Sequence, residues 1–328
     1  MKILILSQAD VENLLPMAEC ITVMDEALSS LARGEMHQPL RQVVHPPGAD
    51  GIIAMMPSFR YGADAIFGLK AICVFPKNAE TGKDAHQGGV LLFRGDTGEP
   101  MAFMNASAIT AIRTAAVTAV ATRVLSREDA SELAIIGAGV QARSHLEAIA
   151  CVRKLKRARV VSRNPEHAKA LAEEMGGRFE FPIEPVTSAQ EAILGADIIV
   201  TVTTSKEPVV QREWLAPGSH INAIGTYSPR AREIDTATMV DATLFVDRRE
   251  SALNEAGDYL VAAAAGAITP NHIHAELGEV LIGSASGRSS SDEITLFKSL
   301  GLAVEDLAAA DYVFRKAQRE QVGTWVEF

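Results

Sequence analysis

Cysteine is scarce in this chain: Cys20, Cys73 and Cys151 are the three in 328 residues, and they lie far apart. They form neither a zinc-ligand spacing nor an even disulfide set, which fits a reduced, cytoplasmic compartment. Basic charge is not in excess. Lys and Arg total 31 against 41 Asp and Glu, a net charge of −10, so a phosphate-backbone partner is disfavoured and no nucleic acid is expected. The opening "MKILILSQADVENLL" meets Asp10 and Glu12 too early for a signal-peptide core. No run of about eighteen apolar residues follows, so no membrane partner is expected. Repeats, low-complexity tracts and Pro/Ser-rich linkers are also missing. The nearest approach to a metal cluster is "HIH", His272 to His274, which lacks carboxylate or cysteine support at ligand spacing and reads as structural; no metal is expected. What is present is a globular composition, 48% hydrophobic and 22% charged, long enough for two domains.

Two textures divide the chain. Up to about residue 110 helix and strand are mixed. "MAECITVMDEALSSLARG" carries a helical apolar stripe at Ile21, Met24, Leu28 and Leu31, with Gly34 as its C-terminal cap. Extended runs "GIIAMMPSF", "GLKAICVF" and "GGVLLF" follow, and "RGDTGEPMAFM" reads as a tight turn between antiparallel strands, so this half is expected to be an antiparallel sheet with helices on it. From about residue 115 strands and helices alternate: "ELAIIG", "QARSHLEAIACV", "RARVVS", "NPEHAKALAEEMG", then "ADIIVTVT", "HINAIG" and "TLFVD". Apolar runs of this kind, without alternation, suit a parallel sheet covered on both faces. The fold class expected is α/β, a doubly wound Rossmann sheet plus a second α+β domain. The tail "EITLFKSLGLAVEDLAAADYVFRKAQRE" reads as largely helical.

The chemistry-bearing motif is Gly137-Ala138-Gly139-Val140-Gln141-Ala142, a G-x-G-x-x-A string directly after a strand and opening a helix. Gly137 makes the tight turn, Gly139 admits a pyrophosphate, and Ala142 permits close helix–strand packing. This predicts dinucleotide binding. The next strand ends Ser162-Arg163-Asn164, without the acid that grips ribose hydroxyls in NAD-specific sites. Arg163 can pair with a 2′-phosphate and Ser162 can hydrogen-bond it, which leans toward NADP; Arg163 stacking on adenine would permit either cofactor.

Lys70 poses a separate question. Leu69, Ala71, Ile72, Val74 and Phe75 read as a buried strand, where an unpaired ammonium is costly. Either Lys70 snorkels to water or the strand ends where an ammonium is wanted. Arg113, among small and apolar residues of a long Ala-rich helix, and Arg41, in "HQPLRQVV", are likewise outside ordinary charged faces. Together the three would form a cationic pocket for a carboxylate.

The sequence resembles the ornithine cyclodeaminase/mu-crystallin family over essentially its whole length. The blocks that carry the resemblance are "PLRQ", "MPSF", "GLKAICVFP", "HQGGVLLFRGDTGEP", "AIRTAAVTAVAT", "IIGAGVQAR", "HINAIGTYSP" and "ITLFKSLGLAVEDLAAA", in that order. The resemblance implies a cytoplasmic homodimer. Residues 1–115 would be the substrate-binding and dimerisation domain, joined by a C-terminal helix over 305–328, and residues 116–304 the NAD(P)-binding Rossmann domain. It implies that Arg41, Lys70 and Arg113 bind the substrate carboxylate beside the nicotinamide; with Tyr227 and Arg230 they make up the expected substrate-binding set, and Lys70 is expected to be catalytic. The cofactor-binding set is Arg113, Thr114, Gly137, Ala138, Gly139, Val140, Gln141, Ser162, Arg163, Asn164, Thr203, Thr204 and Gly225.

One position departs from the cyclodeaminases. They carry an aspartate just before the Ser-Pro or Cys-Pro step; here Tyr227 stands in that place. A tyrosine supplies no charge to bind and activate a distal amine. The expected function is therefore NAD(P)H-dependent reduction of an α-imino acid (a ketimine, cyclic imine or iminosuccinate-like compound) to an L-amino acid, reversible as an amino-acid dehydrogenase. Arg230 and Arg232, just beyond, either serve a second carboxylate, as on iminosuccinate, or belong to a solvated loop, the reading favoured for at least one of them. The alternatives are ornithine cyclodeamination and a non-catalytic, mu-crystallin-like binding protein.

Overall fold

The computed structural model describes residues 1–75, 78, 82 and 86–328. It divides into two compact units, Met1–Ala116 with Gly301–Phe328, and Val117–Leu300.

The first unit opens with β1 (Lys2–Leu6), α1 (Gln8–Leu14) and α2 (Met17–Ala32). Ile21, Met24 and Leu28 of the stripe expected on α2 are buried and Leu31 is half-buried, and Gly34 (φ +76°) ends the helix by donating to the Leu31 carbonyl. Then come β2 (Met36–His37), β3 (Gln42–Val44), β4 (Ile52–Arg60), β5 (Ile66–Val74), β6 (His86–Arg94) and β7 (Pro100–Asn105). β4 to β7 pair antiparallel in sequence order, because short connections favour neighbouring antiparallel strands. The next helix, α3 (Ala106–Leu125), has 20 residues and a mean hydropathy of 1.4 in its most apolar window, so by length and composition it could cross a membrane. Yet 72% of that window is buried, as in a core helix, and it contains Arg113.

The second unit runs β8 (Glu132–Ile136), α4 (Val140–Val152), β9 (Arg157–Val161), α5 (Pro165–Met175), β10 (Ile183–Pro185), α6 (Ala189–Ile193), β11 (Ile198–Thr201), β12 (His220–Ala223), α7 (Thr236–Asp241), β13 (Thr243–Val246), α8 (Arg249–Glu255), α9 (Gly257–Ala264), β14 (Ile273–Glu276), α10 (Leu277–Leu281) and β15 (Thr295–Lys298). Its sheet is parallel throughout, in the order β10-β9-β8-β11-β12-β15-β13-β14. Side chains of β8 alternate between two cores: Leu133 and Ile135 join one, Ala134 and Ile136 the other. This is a sheet covered on both faces, as the unbroken apolar runs require. Strand order reverses between β8 and β11, the crevice position where doubly wound sheets accept ligands.

The chain returns to the first unit with α11 (Ala303–Glu320) and β16 (Thr324–Glu327). Three expectations change here. The tail is not helical from its start, since Thr295–Lys298 is a strand of the parallel sheet. Nor does the last helix reach residue 328. It stops at Glu320, Gln321 turns left-handed (φ 56°), and β16 pairs antiparallel with β1. Finally, the first sheet is mixed, because β1 lies parallel to β7. That pairing joins strands almost a hundred residues apart, so no local turn dictates its direction.

Candidate functional site

Lys70 sits in the middle of β5, opposite Met56 on β4 and Val90 on β6. Strand alternation puts it on the inward face with Gly68 and Ile72, and it is 2% exposed. It does not snorkel. Its Nζ lies 3.2 Å from Asp306 Oδ1, in the first turn of α11. Arg113, 4% exposed on α3, donates from Nε to the same oxygen (3.0 Å) and from a terminal nitrogen to Glu305 (2.7 Å). Arg41 donates to the carbonyl of Gly301 (2.9 Å). Gly301 has φ +78°, and a Cβ there would come within 2.7 Å of the Arg113 guanidinium. Only glycine allows that close approach.

The three predicted cations of the first unit therefore gather at the N-terminus of α11. Glu305 and Asp306 are well placed there, because first-turn acids complement the helix dipole. Lys70, Arg41 and Arg113 together present cationic donors of the kind that hold a carboxylate ligand. Burial is the main influence on Lys70 and brings its pKa down to about 8. Asp306 resists that shift, whereas Arg113 and Arg41 add to it. An ammonium with a pKa near 8 can give up and regain a proton at ordinary pH.

In the second unit, Gly137 follows β8 with φ +118°, and a Cβ would meet the Val202 carbonyl oxygen at 2.7 Å. Gly139 is the N-cap of α4 and has no side-chain cap; among the described residues, nothing lies within 4 Å of where its Cβ would be. Val140 is 60% exposed and Ala142 fully buried. An open glycine over uncapped helix N–H groups is a cradle that fits a pyrophosphate. Beside it lies a cleft of about 570 Å³ lined by Gly137, Ser162, Arg163, Asn164, Thr203 and Thr204 among others. Asn164 also caps α5, accepting from the Glu166 amide at 3.1 Å. This donor set and cavity suit a nicotinamide dinucleotide.

The remaining predicted residues are placed as follows. Thr114 is buried on α3 in the first unit, next to Arg113. Ala138 and Gln141 flank the glycines and are partly buried. Gly225 abuts Thr203, whose backbone leaves no room for a Cβ. Tyr227 (40% exposed) and Arg230 (exposed) lie beyond β12, outside the cleft lining. His272 and His274 bond to the carbonyls of Met239 and Ser286 respectively. Among the described residues, no group of His, Cys, Asp and Glu could hold a metal.

Sequence reasoning missed Glu305 and Asp306, which brace the cations, and Glu233. The Glu233 carboxylate accepts from Thr203 N and Oγ1 (both 2.7 Å) and from Gly225 N (2.8 Å), tying together the loops after β11 and β12. Burial pushes its pKa up. An acid eight residues beyond a strand-end glycine gives no local signal of that role.

Comparison with known proteins agrees with this geometry. The family model for the ornithine cyclodeaminase/mu-crystallin family matches residues 1–321. The ketimine reductase mu-crystallin of Mus musculus is 39% identical over 297 residues, covering 90% of both chains. The Thermococcus litoralis Δ1-pyrroline-2-carboxylate reductase, solved with NADH and L-proline, is 40% identical with a TM-score of 0.95, covering 98% of this chain and 99% of that one. An archaeal alanine dehydrogenase dimer with bound NAD is 33% identical, TM-score 0.93, covering 100% of both. The chain belongs to the ornithine cyclodeaminase/mu-crystallin family.

Proposed function

We propose that this protein reduces an α-imino acid to an L-amino acid with a nicotinamide dinucleotide, and runs in reverse as an amino-acid dehydrogenase. The observation that carries the reading is the buried cation cluster centred on Lys70. Arg41, Arg113 and Lys70 hold the substrate carboxylate, and their fixed partners pre-organise them for it. The bound cofactor supplies a hydride to the imine carbon. Lys70 gives its proton to the imine nitrogen, so C=N becomes CH–NH and the lysine is left neutral. Reduction needs protonated Lys70, the dominant form below about pH 8. The reductive rate should fall as pH rises through that value, and amino-acid oxidation, which needs neutral Lys70, should rise. Parallel pH profiles of both directions check this; matching limbs of the same sign would exclude Lys70 as the proton carrier.

Relatives that reduce a cyclic imino acid or a ketimine, in their names, favour that substrate class. Tyr227 in place of an aspartate argues against cyclodeamination, and a buried, titratable lysine in the cluster argues against mere binding. The test is a panel of cyclic imines, oxaloacetate with ammonia, and oxo acids with amines, each with NADH and NADPH. Net oxidation of cofactor is expected with an imino acid. Ammonia release without it would favour cyclodeamination, and tight binding with neither would favour a binding protein.

For the cofactor, Arg163 and Ser162 at the end of β9 support a 2′-phosphate partner and hence NADPH, while the relatives above carry NADH or NAD. Arg163→Ala should weaken NADPH by about 1–3 kcal/mol and NADH much less. Equal losses in titrations of the two would remove the 2′-phosphate reading. The assembly proposed is a cytoplasmic homodimer through the first unit's sheet. Phe67, Phe103, Trp325 and Val326 of that sheet are 39–48% exposed, and the archaeal alanine dehydrogenase is a dimer. Sedimentation at micromolar concentration should find a dimer; monomer alone would contradict it.

A further inference from the structure

Two buried lysines of this chain are each paired with an aspartate, and the two pairs are built differently. Lys298, at the end of β15 in the second unit, is 1% exposed and has all three ammonium donors engaged: Asp258 Oδ2 at 2.9 Å, the Thr226 carbonyl at 2.8 Å and Thr226 Oγ1 at 3.1 Å. Asp258 uses both of its oxygens as well, since Oδ1 accepts the amides of Glu233 (2.7 Å) and Ile234 (2.9 Å). This is a buried ion pair with its hydrogen bonds satisfied, the arrangement that serves a fold.

The pair in the first unit is not satisfied in that way. Lys70 is 2% exposed, yet among the described residues Asp306 Oδ1, at 3.2 Å, is its one polar partner. An ammonium has three donors, so two are left for a ligand. Asp306 is used as unevenly. Its Oδ1 accepts from both Lys70 and Arg113 Nε (3.0 Å), while Oδ2 is buried with no partner among the described residues. Unmatched donors and acceptors under burial cost stability, so the fold alone does not account for this pair. What the shared oxygen does is bring an ammonium and a guanidinium to one point.

That point is held in place. Asp306 stands in the first turn of α11, and the start of this helix is fastened by three side chains. Ser58 of β4 donates to the Ala303 carbonyl (3.1 Å), Gln38 accepts from the Val304 amide (2.9 Å), and Glu305 accepts from the Leu302 amide (3.1 Å). All of these groups belong to the first unit. The charged groups acting on Lys70 are Asp306 from α11, Arg113 from α3 and Arg41, while Met56 and Val90 across the strands carry no charge. The Cys20 thiol of α2, near Arg113 and Glu305, is pushed up by burial and stays neutral. Burial and both arginines disfavour the charged form of Lys70; Asp306 favours it.

We propose that Asp306 is the positioning residue for proton delivery: through a single oxygen it aims the Lys70 ammonium, sets it beside Arg113, and keeps it charged until the imine nitrogen takes the proton. This rests on the imine-reductase reading above. Asp306 neither gives nor takes that proton, and water returns one to neutral Lys70 between turnovers. Asp306 thereby sets the pH at which reduction gives way to oxidation.

Asp306→Asn keeps the shape and removes the charge. Losing an adjacent opposite charge should move the Lys70 limb from about 8 to about 5–7, in both directions of the reaction. Reductive kcat at pH 8 should fall about fivefold for a limb moved to 7, and about tenfold more for each pH unit beyond that. Below the new limb it should return to within about tenfold of wild type. Asp306→Glu keeps the charge and moves the oxygen. Its limb should stay near 8 while kcat falls about tenfold or more at every pH, the consequence of a misplaced donor. In a Lys70→Met background, Asp306→Asn should cost no further kcat, although KM still rises through Arg113.

A limb left near 8 in Asp306→Asn, with kcat lowered equally at every pH, would make Asp306 a structural brace and overturn the proposal. Additive losses of kcat in the double variant would do the same. If Asp306→Asn does not fold, Asp306→Glu decides: wild-type kcat, or a limb moved by more than about one pH unit, contradicts the proposal. The Lys70 Cε resonance, assigned by its loss in Lys70→Met, titrates without turnover and separates this proposal from the function it rests on. Wild-type protein that reduces no imino acid removes the imine-reductase reading. A Cε titration midpoint that is the same in wild type and Asp306→Asn overturns the role of Asp306 by itself.

Discussion

Replacing Lys70 with methionine should lower turnover about 10²–10⁴-fold, the range for a positioned acid or electrostatic donor. Methionine fills the volume of the stem without the ammonium. Asp306 keeps Arg113 at 3.0 Å, so its carboxylate retains a cationic partner and the unit should still fold. NADH affinity should stay within a few-fold of wild type, because the glycine turn and cleft belong to the second unit. The fall should appear in kcat as well as KM, since the lysine is assigned both carboxylate binding and proton delivery. A variant with raised KM but wild-type kcat would reduce Lys70 to a binding residue. The pH limb near 8 should vanish in the variant.

Gly139→Val should abolish binding of NADH and NADPH alike while leaving stability nearly unchanged. The backbone there is extended (φ −86°), which a β-branched residue adopts, and its Cβ would point into open space. That space lies over the uncapped start of α4, where the pyrophosphate is expected. Overfilling it removes the approach that the motif exists to allow. Gly137→Ala is the informative contrast. With φ +118° and the Val202 carbonyl 2.7 Å from its Cβ, it should lose stability first. Cofactor titration and thermal melts of both variants separate the two outcomes. Retained cofactor affinity in Gly139→Val would remove the phosphate cradle from this turn.

Much of the fold was legible because its signals are local. Unbroken apolar runs such as "LAIIG" and "DIIVT" read as parallel strands, the stripe of α2 with Gly34 as a helix and its cap, and "RGDTGEP" as a hairpin. Non-local features were not. The parallel β1–β7 pair, and β16 on the other side of β1, are set by packing of distant segments. β15 hid inside "EITLFKSLGLAVEDL", where only Ser299 to Leu302 separate a strand from a helix. That misreading also hid Lys298. As part of a helical tail it looks like an ordinary surface lysine, whereas as the end of a buried strand it poses the same question as Lys70. The cations of the first unit stood out because Lys70 and Arg113 interrupt apolar runs. Their partners did not, because Glu305 and Asp306 look like the acids any helix carries in its first turn.

The most direct test of the central claim is the stoichiometry of wild-type protein in two mixtures, an α-imino acid with NADH or NADPH, and ornithine with NAD. The account predicts one L-amino acid formed per cofactor oxidised in the first, and neither proline nor ammonia in the second. Steady formation of proline and ammonia from ornithine, with no net change in cofactor, would contradict it.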